Sequence, residues 1–196
     1  MLRVGFALPG PAERRRLVAI LARPPAEAAP QLLGHVLVRR VGRRAVAARI
    51  VEVEAYLGDG DPAAHAYGGR TPRTEPLFGA AGTLYVYFIY GMHHCLNVAV
   101  DQPGVPGCVL VRALEPLPGQ ELSTTALAGP GRLCRALGLD TRHSGRHLFD
   151  ATLGLTLREG EAPPRVAVSK RVGIRKAAAR PLRFFDPSSP ALSCKV

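Results

Sequence analysis

The chain has 196 residues and 26 basic against 15 acidic side chains, which gives a formal net charge of +11. This length fits one domain whose hydrophobic core needs neither disulfides nor metal. No apolar run approaches the ~18 residues of a membrane-spanning helix, and the first residues lack the pattern of a secretory signal. We therefore expect an intracellular protein that is neither secreted nor bound to a membrane.

The basic excess indicates an anionic partner, with nucleic acid as the leading candidate. A GC-rich genome is an alternative explanation for the many arginines. Residues 1–50 contain ten basic and two acidic side chains, and residues 166–196 contain seven and one. Residues 51–110 reverse this balance, with two basic and six acidic side chains. Two basic flanks thus surround an acidic centre, and the flanks are suited to DNA phosphates.

The first elements predicted along the chain are helical. Proline and glycine at 9–11 precede a predicted helix over 12–22, in which Leu17, Ile20 and Leu21 share one face. A second helix is predicted over 26–33. Residues 1–30 are therefore expected to form a basic, helical N-terminal segment.

Strands dominate the middle of the chain. They are predicted over 35–40, 49–57, 83–90, 95–100 and 108–114, with a hairpin turn at Arg43 and Arg44. Later elements are a helix that follows 129–131 and ends at Gly138, a short strand over 153–157 and an exposed loop over 159–164. The predicted fold class is α+β, a single domain with a mainly antiparallel curved β-sheet flanked by helices.

The strand over 49–57 carries Glu52, Glu54 and Tyr56 at alternate positions. These side chains share one face, opposite the apolar residues between them. An ordinary half-exposed strand explains this pattern. The pattern alone favours this interpretation over a site, in which a positioned carboxylate beside an aromatic side chain acts as a general base for water.

The histidines and acidic residues do not predict a metal site. Asp59 and Asp61 lack the continuation of a calcium loop, and Asp61 with the following proline predicts a turn and a helix start. His65 has no H-E-x-x-H partner, and the adjacent His93 and His94 diverge on a strand. The four cysteines contain no C-x-x-C pair and are interpreted as buried free thiols. We therefore expect no metal.

Three of the five tyrosines lie in residues 83–90. Tyr85 and Tyr87 share a strand face, and Tyr90 lies at the strand end, before a glycine that permits a sharp turn. Packing between strands is one interpretation. Stacking on nucleobases is the other, and a bulky side chain on a tight turn can also wedge into a base stack.

Arg112 interrupts an apolar run and shares a strand face with Leu110. An arginine among buried residues usually has a carboxylate or phosphate partner. Two alternatives stay open here, a structural ion pair with Glu115 and a functional contact.

Several longer segments follow one another in a characteristic order. They are Glu-Ala-Tyr-Leu-Gly (54–58), Ala-Ala-His (63–65), Gly-Gly-Arg-Thr-Pro-Arg (68–73), Gly-Thr-Leu-Tyr-Val-Tyr-Phe-Ile-Tyr-Gly-Met (82–92), Asn97, Val-Leu-Val-Arg-Ala-Leu-Glu-Pro (109–116), Arg-Val-Gly-Ile (171–174) and Arg-Pro-Leu-Arg-Phe-Phe (180–185). Together they resemble the alkyladenine DNA glycosylase family, also called methylpurine or 3-methyladenine DNA glycosylases. The resemblance covers roughly residues 32–190.

The resemblance implies a DNA repair enzyme of base excision repair. Such an enzyme flips a damaged (alkylated or deaminated) purine out of double-stranded DNA and hydrolyses its N-glycosidic bond with an activated water, which leaves an abasic site. The implied site residues are Glu54 as general base, Arg112 beside the water and the DNA backbone, Tyr56, His65 and Tyr87 as pocket walls, Asn97 and Leu110 near the purine 2-edge, and Tyr90 as the side chain inserted into DNA. No cofactor or metal is expected. We expect a monomer in the cytoplasm or nucleoid of a bacterium, or in the nucleus of a eukaryote.

The lysines bear on the mechanism. Lys170, Lys176 and Lys195 are the only ones, and they lie outside the central motifs. A glycosylase that also nicks DNA normally attacks the sugar with an amine, so we predict a monofunctional enzyme with a water nucleophile.

Two alternatives stay open, a non-catalytic binder of damaged DNA that does not need Glu54, and a metal hydrolase that uses histidines. Two histidines follow Met92 where relatives often carry aromatic residues, so the insertion loop is expected to differ.

Overall fold

The computed structural model describes residues 6–194. Its helices are α1 (Pro11–Leu21), α2 (Pro25–Leu32), α3 (Thr124–Leu127) and α4 (Pro130–Ala136). Its strands are β1 (Val36–Val41), β2 (Arg44–Tyr56), β3 (Leu84–Ile89), β4 (His93–Val100), β5 (Gly107–Pro116), β6 (Leu155–Arg158), β7 (Ala167–Ser169) and β8 (Arg183–Phe185). The α+β class with a curled antiparallel sheet and flanking helices is therefore confirmed.

The long strand β2 organises the sheet. The strand order is β3-β4-β5-β2-β1-β6, and β8 pairs with β2 and with β7. Every one of these pairs is antiparallel. Because β2 contacts β1, β5 and β8, the end of β2 lies beside side chains from distant parts of the chain.

One hydrophobic core joins the helices to the sheet. Leu17 and Leu21 of α1 are fully buried, and Ile20 packs partly against the same cluster, so the predicted helix face is confirmed. The core also holds Leu133 of α4 and Leu96 of β4. Along residues 6–194, none of the helices has the length and apolar character needed to cross a membrane.

The first hairpin differs from the prediction. The structure has Arg44 paired with Val41, so the turn lies at Gly42 and Arg43, and β2 starts at Arg44 rather than at residue 49. Gly42 has a φ of +61°, a conformation that glycine adopts without strain. The start of β2 was missed because residues 45–48 are mostly alanine, which has low strand propensity.

A bulge in β2 changes which side chains share a face. The register with β5 shifts between Ile50 and Val53. Val51 packs with Ala113 and Ala191, whereas Val53 lies in the main core, so the prediction that Val51 and Val53 face the same way is wrong. An extra residue in one strand rotates the side chains that follow it, and sequence alternation alone does not show it.

The predicted helix at Asp61 is absent. The Asp61 carboxylate accepts hydrogen bonds from the backbone N–H of Ala63 (3.2 Å) and of Leu57 (3.3 Å), which closes a turn without starting a helix. Short 3₁₀ turns flank it at Gly58–Gly60 and His65–Gly68. Three further elements of three or four residues, α3, β7 and β8, were not predicted, whereas the equally short β6 was.

Candidate active site

A cavity of about 140 Å³ lies beside the C-terminal end of β2. Its aromatic lining consists of Tyr56, His65, Tyr85 and Tyr87. A cavity of ~150 Å³ is large enough for one benzene ring. The size and lining therefore suit a flat aromatic group that stacks on side-chain rings.

The aromatic walls support one another. The His65 ring lies 4.4 Å from the Tyr87 ring, edge to face, and the Tyr85 and Tyr87 rings are 5.4 Å apart. His65 Nδ1 and the Tyr85 hydroxyl form a hydrogen bond of 2.9 Å. Burial lowers the pKa of His65, and the nearby Arg73 adds to this effect. The imidazole is therefore neutral at physiological pH and acts as a wall rather than as a cation.

Glu54 is fully buried and is held by three groups. The backbone N–H of Val172 donates to one carboxylate oxygen (2.7 Å), and the Tyr56 hydroxyl donates to the other (3.0 Å). Arg112 lies 3.2 Å from the carboxylate. Burial raises the pKa of Glu54 above that of an exposed glutamate, although Arg112 and the two hydrogen bonds oppose the rise. The carboxylate is thus a stronger base than an exposed glutamate and has a fixed orientation.

Glu52 is also fully buried, but its surroundings are different. It accepts hydrogen bonds from Nε of Arg112 (2.9 Å), Nε of Arg183 (2.8 Å) and the backbone N–H of Ser193 (2.6 Å). Burial alone would raise the pKa of Glu52, but the hydrogen bonds from Ser193 and Arg183 and the charge of Arg112 hold it below its usual value. Glu52 is therefore a structural anion.

Arg112 connects the two carboxylates. Its partners are Glu52 and Glu54, whereas Glu115 pairs with Arg49 at 2.8 Å. The alternative of a structural pair between Arg112 and Glu115 is therefore wrong. In the register between β2 and β5, Arg112 has no partner, because the pairing passes from Ala113 directly to Val111.

The segment 171–174 builds one side of the site. Arg171 stacks on Tyr56, Val172 donates to Glu54, and Ile174 lines the cavity. Inference from the residues assigned no role to this segment. The available signal was the matching Arg-Val-Gly-Ile motif, more than 110 positions after Glu54, and only the fold shows that the two segments meet.

Asn97 and Leu110 differ in their relation to the cavity. Asn97 lines it, donates to the backbone oxygen of Tyr85 (3.1 Å) and lies 3.8 Å from the sulfur of Cys108. Leu110 is buried in β5, opposite Glu54 and Asn97 in the sheet, and is not among the side chains that line the cavity. The structure thus brings Asn97 to the cavity but does not bring Leu110 to it.

Tyr90 lies at the tip of the hairpin between β3 and β4. It has a φ of +54°, the next residue Gly91 has a φ of +68°, and the Tyr90 side chain is 78% exposed. Two positive φ values in succession are typical of type I′ hairpin turns, and they cost free energy in a residue that has a Cβ. A strained, exposed tyrosine at a hairpin tip points to a functional role rather than to packing.

The two histidines after this turn serve packing. A Cβ on Gly131 would lie 2.9 Å from the His93 ring, so His93 braces the hairpin against α4. The His94 ring lies 5.0 Å from the ring of Phe88. Across residues 6–194, no group of three or more histidine, cysteine, aspartate or glutamate side chains is arranged to hold a metal ion.

Some of the basic charge in the N-terminal flank is already paired within the protein. Arg16 pairs with Glu159 at 2.6 Å, and Arg44 pairs with Glu121. Arg39 donates to backbone oxygens, including that of Leu153 (2.8 Å). The N-terminal flank therefore offers less charge to DNA than its composition indicates.

The comparisons with known proteins fit this geometry. Residues 19–190 match the family model "Methylpurine-DNA glycosylase (MPG)". The chain is 49% identical over 177 residues to a protein of Myxococcus xanthus (88% of this chain and 90% of that protein). It is 45% identical over 156 residues to one of Chlorobium phaeobacteroides (74% and 78%) and 40% identical over 184 residues to one of Methanocella arvoryzae (87% and 92%). Each of the three is named "Putative 3-methyladenine DNA glycosylase".

The chain therefore belongs to the methylpurine-DNA glycosylase family, and the resemblance found in the sequence is confirmed. It is a DNA glycosylase, a hydrolase of DNA repair whose substrate is DNA, and the family supports the predicted monofunctional class.

Proposed function

We propose that this enzyme flips an alkylated or deaminated purine out of duplex DNA into the cavity beside Tyr56 and hydrolyses its N-glycosidic bond, leaving an abasic site. The observation that carries the proposal is the juxtaposition of a buried base, Glu54, with an aromatic cavity of the size of a flat ring. The Tyr56 hydroxyl bonds directly to the Glu54 carboxylate, so the stacking platform and the base belong to one unit.

Base flipping is proposed because the glycosidic bond is inaccessible inside a duplex. The exposed Tyr90 ring at the hairpin tip is suited to fill the gap that the extruded nucleotide leaves in the base stack. Tyr56, His65 and Tyr87 then hold the extruded base by stacking, which tolerates purines with different substituents. The proposed substrates include 3-methyladenine, 7-methylguanine and hypoxanthine in double-stranded DNA.

Glu54 is proposed to accept a proton from the attacking water. Cleavage of a glycosidic bond passes through a state that resembles an oxocarbenium ion, and a nearby carboxylate both stabilises this charge and orients the water. Arg112 favours the ionised form of the carboxylate, because its positive charge opposes the rise in the pKa of Glu54 that burial causes, and it fixes the position of the carboxylate. A purine that is alkylated on a ring nitrogen carries a positive charge and leaves as a neutral base, so it needs little acid assistance.

The test of the proposal is Glu54→Gln, which is nearly isosteric and removes the base. On a duplex that contains 7-methylguanine, release of free base in a single turnover is expected to fall by ~10²-fold or more. The control is Glu27→Gln, since Glu27 is exposed on α2. Base release by Glu54→Gln at the rate of the unmodified protein would exclude Glu54 as the base. Tight binding by the unmodified protein without any release would instead establish a non-catalytic binder.

The monofunctional mechanism and the absence of a metal are tested separately. Borohydride is expected to trap no covalent adduct with DNA, and chelators are expected to leave the rate unchanged. A trapped adduct would show an amine nucleophile, and inhibition by chelators would favour a metal hydrolase.

We also propose that the enzyme acts as a monomer, because one chain supplies the cavity, Glu54 and Tyr90. Its proposed location is where DNA is repaired, the bacterial cytoplasm and nucleoid or a eukaryotic nucleus.

A further inference from the structure

Arg171 lies behind the Tyr56 ring with no exposed side-chain surface. Both of its terminal nitrogens donate to the Asp61 carboxylate, Nη2 at 2.8 Å, and Nη1 also donates to the backbone oxygen of Ala55 (3.0 Å). The guanidinium carbon is 4.5 Å from the centre of the Tyr56 ring, well inside the ~6 Å range of a cation–π contact. The two-pronged ion pair and complete burial fix Arg171 against this ring.

Tyr56 separates Arg171 from the cavity. Tyr56 lines the cavity and Arg171 does not, so the guanidinium contacts the ring from outside the cavity. The hydroxyl of Tyr56 is held by Glu54 at 3.0 Å. The ring is thus held in place, contacts a permanent cation and also borders the cavity.

The charge of Arg171 acts on this ring. Burial and Glu54 raise the pKa of Tyr56, and Arg171 opposes the rise. An aromatic ring attracts a cation through its electron-rich face. A ring that already faces one cation attracts a second cation on its other side less strongly, because the two positive charges repel each other. Asp61 balances the net charge of the pair, but the guanidinium is the group that contacts the ring.

The purines proposed as substrates differ in charge. A purine that is methylated at N7 in DNA is positively charged, whereas hypoxanthine is neutral. We infer that Arg171, clamped by Asp61, is a specificity-determining residue that keeps the Tyr56 platform from favouring positively charged purines over neutral ones. The inference rests on the proposed function, since it requires the base to stack on Tyr56.

The experiment measures binding without chemistry, in an inactive Glu54→Gln background. Dissociation constants are determined for duplexes that contain 7-methylguanine, hypoxanthine or no lesion. The double substitution Asp61→Asn and Arg171→Gln removes both charges of the pair. It is expected to shift the ratio of affinities toward 7-methylguanine by about 2- to 30-fold, the range of a cation–π contact. Arg171→Lys retains the charge and is expected to leave the ratio unchanged.

Arg183 supplies a matched control. Its guanidinium lies 4.5 Å from the ring of Phe185, it is 3% exposed, and it is ion-paired with Glu52. Arg183→Gln removes an equivalent buried contact on a ring that does not line the cavity. We expect it to lower thermal stability without changing the ratio of affinities.

The outcomes separate the inference from the function that it assumes. If the double substitution weakens binding of both lesions by the same factor, or shifts the ratio of affinities toward hypoxanthine, Arg171 is merely structural and the inference is overturned. If that protein does not fold, Arg171→Lys decides, because a shifted ratio with the charge retained also overturns the inference. Failure of the enzyme with Glu54 intact to release any base would refute the proposed function instead.

Discussion

Two neighbouring buried glutamates in β2 are expected to respond in opposite ways to the same substitution. Glu52 has a lowered pKa because hydrogen bonds and two arginines hold its anion. Glu54 has a raised pKa because burial outweighs its partners. A lowered pKa in the folded state means that ionisation stabilises the fold, and a raised pKa means that ionisation destabilises it. Glu52→Gln should therefore cost stability, and Glu54→Gln should cost activity.

The magnitude for Glu52 follows from its partners. Glu52→Gln leaves Arg112 and Arg183 buried without their shared counter-charge, and Nη2 of Arg183 already lacks a hydrogen-bond partner. Removal of one member of a buried ion pair costs about 3–5 kcal/mol. In a chain of this length each kcal/mol lowers the melting temperature by about 2–4 °C, so we expect a decrease of about 6–20 °C.

Glu54→Gln is expected to keep or slightly raise the melting temperature, because it removes a charge that burial disfavours. Base release is expected to fall by ~10²-fold or more. Differential scanning calorimetry and single-turnover excision on the same preparations separate the two effects.

The pH dependence supplies a second test of the same reasoning. The contribution of Glu52 is fully present above the pKa of an unfolded glutamate, about 4.3, and is lost as the pH falls through the lower folded pKa. The difference in stability between the unmodified protein and Glu52→Gln should therefore shrink below about pH 4. Equal melting temperatures for Glu52→Gln and the unmodified protein, or a large loss of stability in Glu54→Gln, would refute the assignment of roles.

Three further predictions concern the reaction. Because the pKa of Glu54 is raised, the acid limb of the pH profile of kcat/KM should lie above the pKa of an exposed glutamate. Arg112→Gln should move this limb to still higher pH, and Arg112→Lys should restore it. If the limb does not move in Arg112→Gln, the two groups are not coupled. Tyr90→Gly should lower excision from duplex DNA at least tenfold. It should also relieve a turn strain of about 1–2 kcal/mol, so the melting temperature should not fall. The control Met92→Ala, at a neighbouring exposed side chain, should have little effect on excision or on the melting temperature. Affinity for duplex DNA should fall steeply with salt, by about 0.9 log units for each phosphate contact when the salt concentration rises tenfold. The rate of excision at saturating enzyme should change little. An affinity that does not depend on salt would contradict binding through phosphates.

The sequence alone determined a large share of the fold. The breaker at residues 9–11 and the apolar positions on one face predicted α1, and runs of apolar and β-branched residues predicted most of the central strands, because these signals act over a few residues. Elements of three or four residues, such as β8, were missed because their strand conformation comes from pairing with β2 rather than from local propensity.

The candidate residues could be identified from the sequence, but their roles could not all be separated. Glu52 and Glu54 are identical side chains two positions apart, and alternation places them on one face. Only the tertiary structure distinguishes them, because it brings Ser193 and Arg183 to Glu52, and Val172 to Glu54, across separations of more than 110 residues. Residue types and local periodicity thus set what chemistry is available, whereas burial and long-range partners decide which carboxylate stabilises the fold and which one is suited to act as a base.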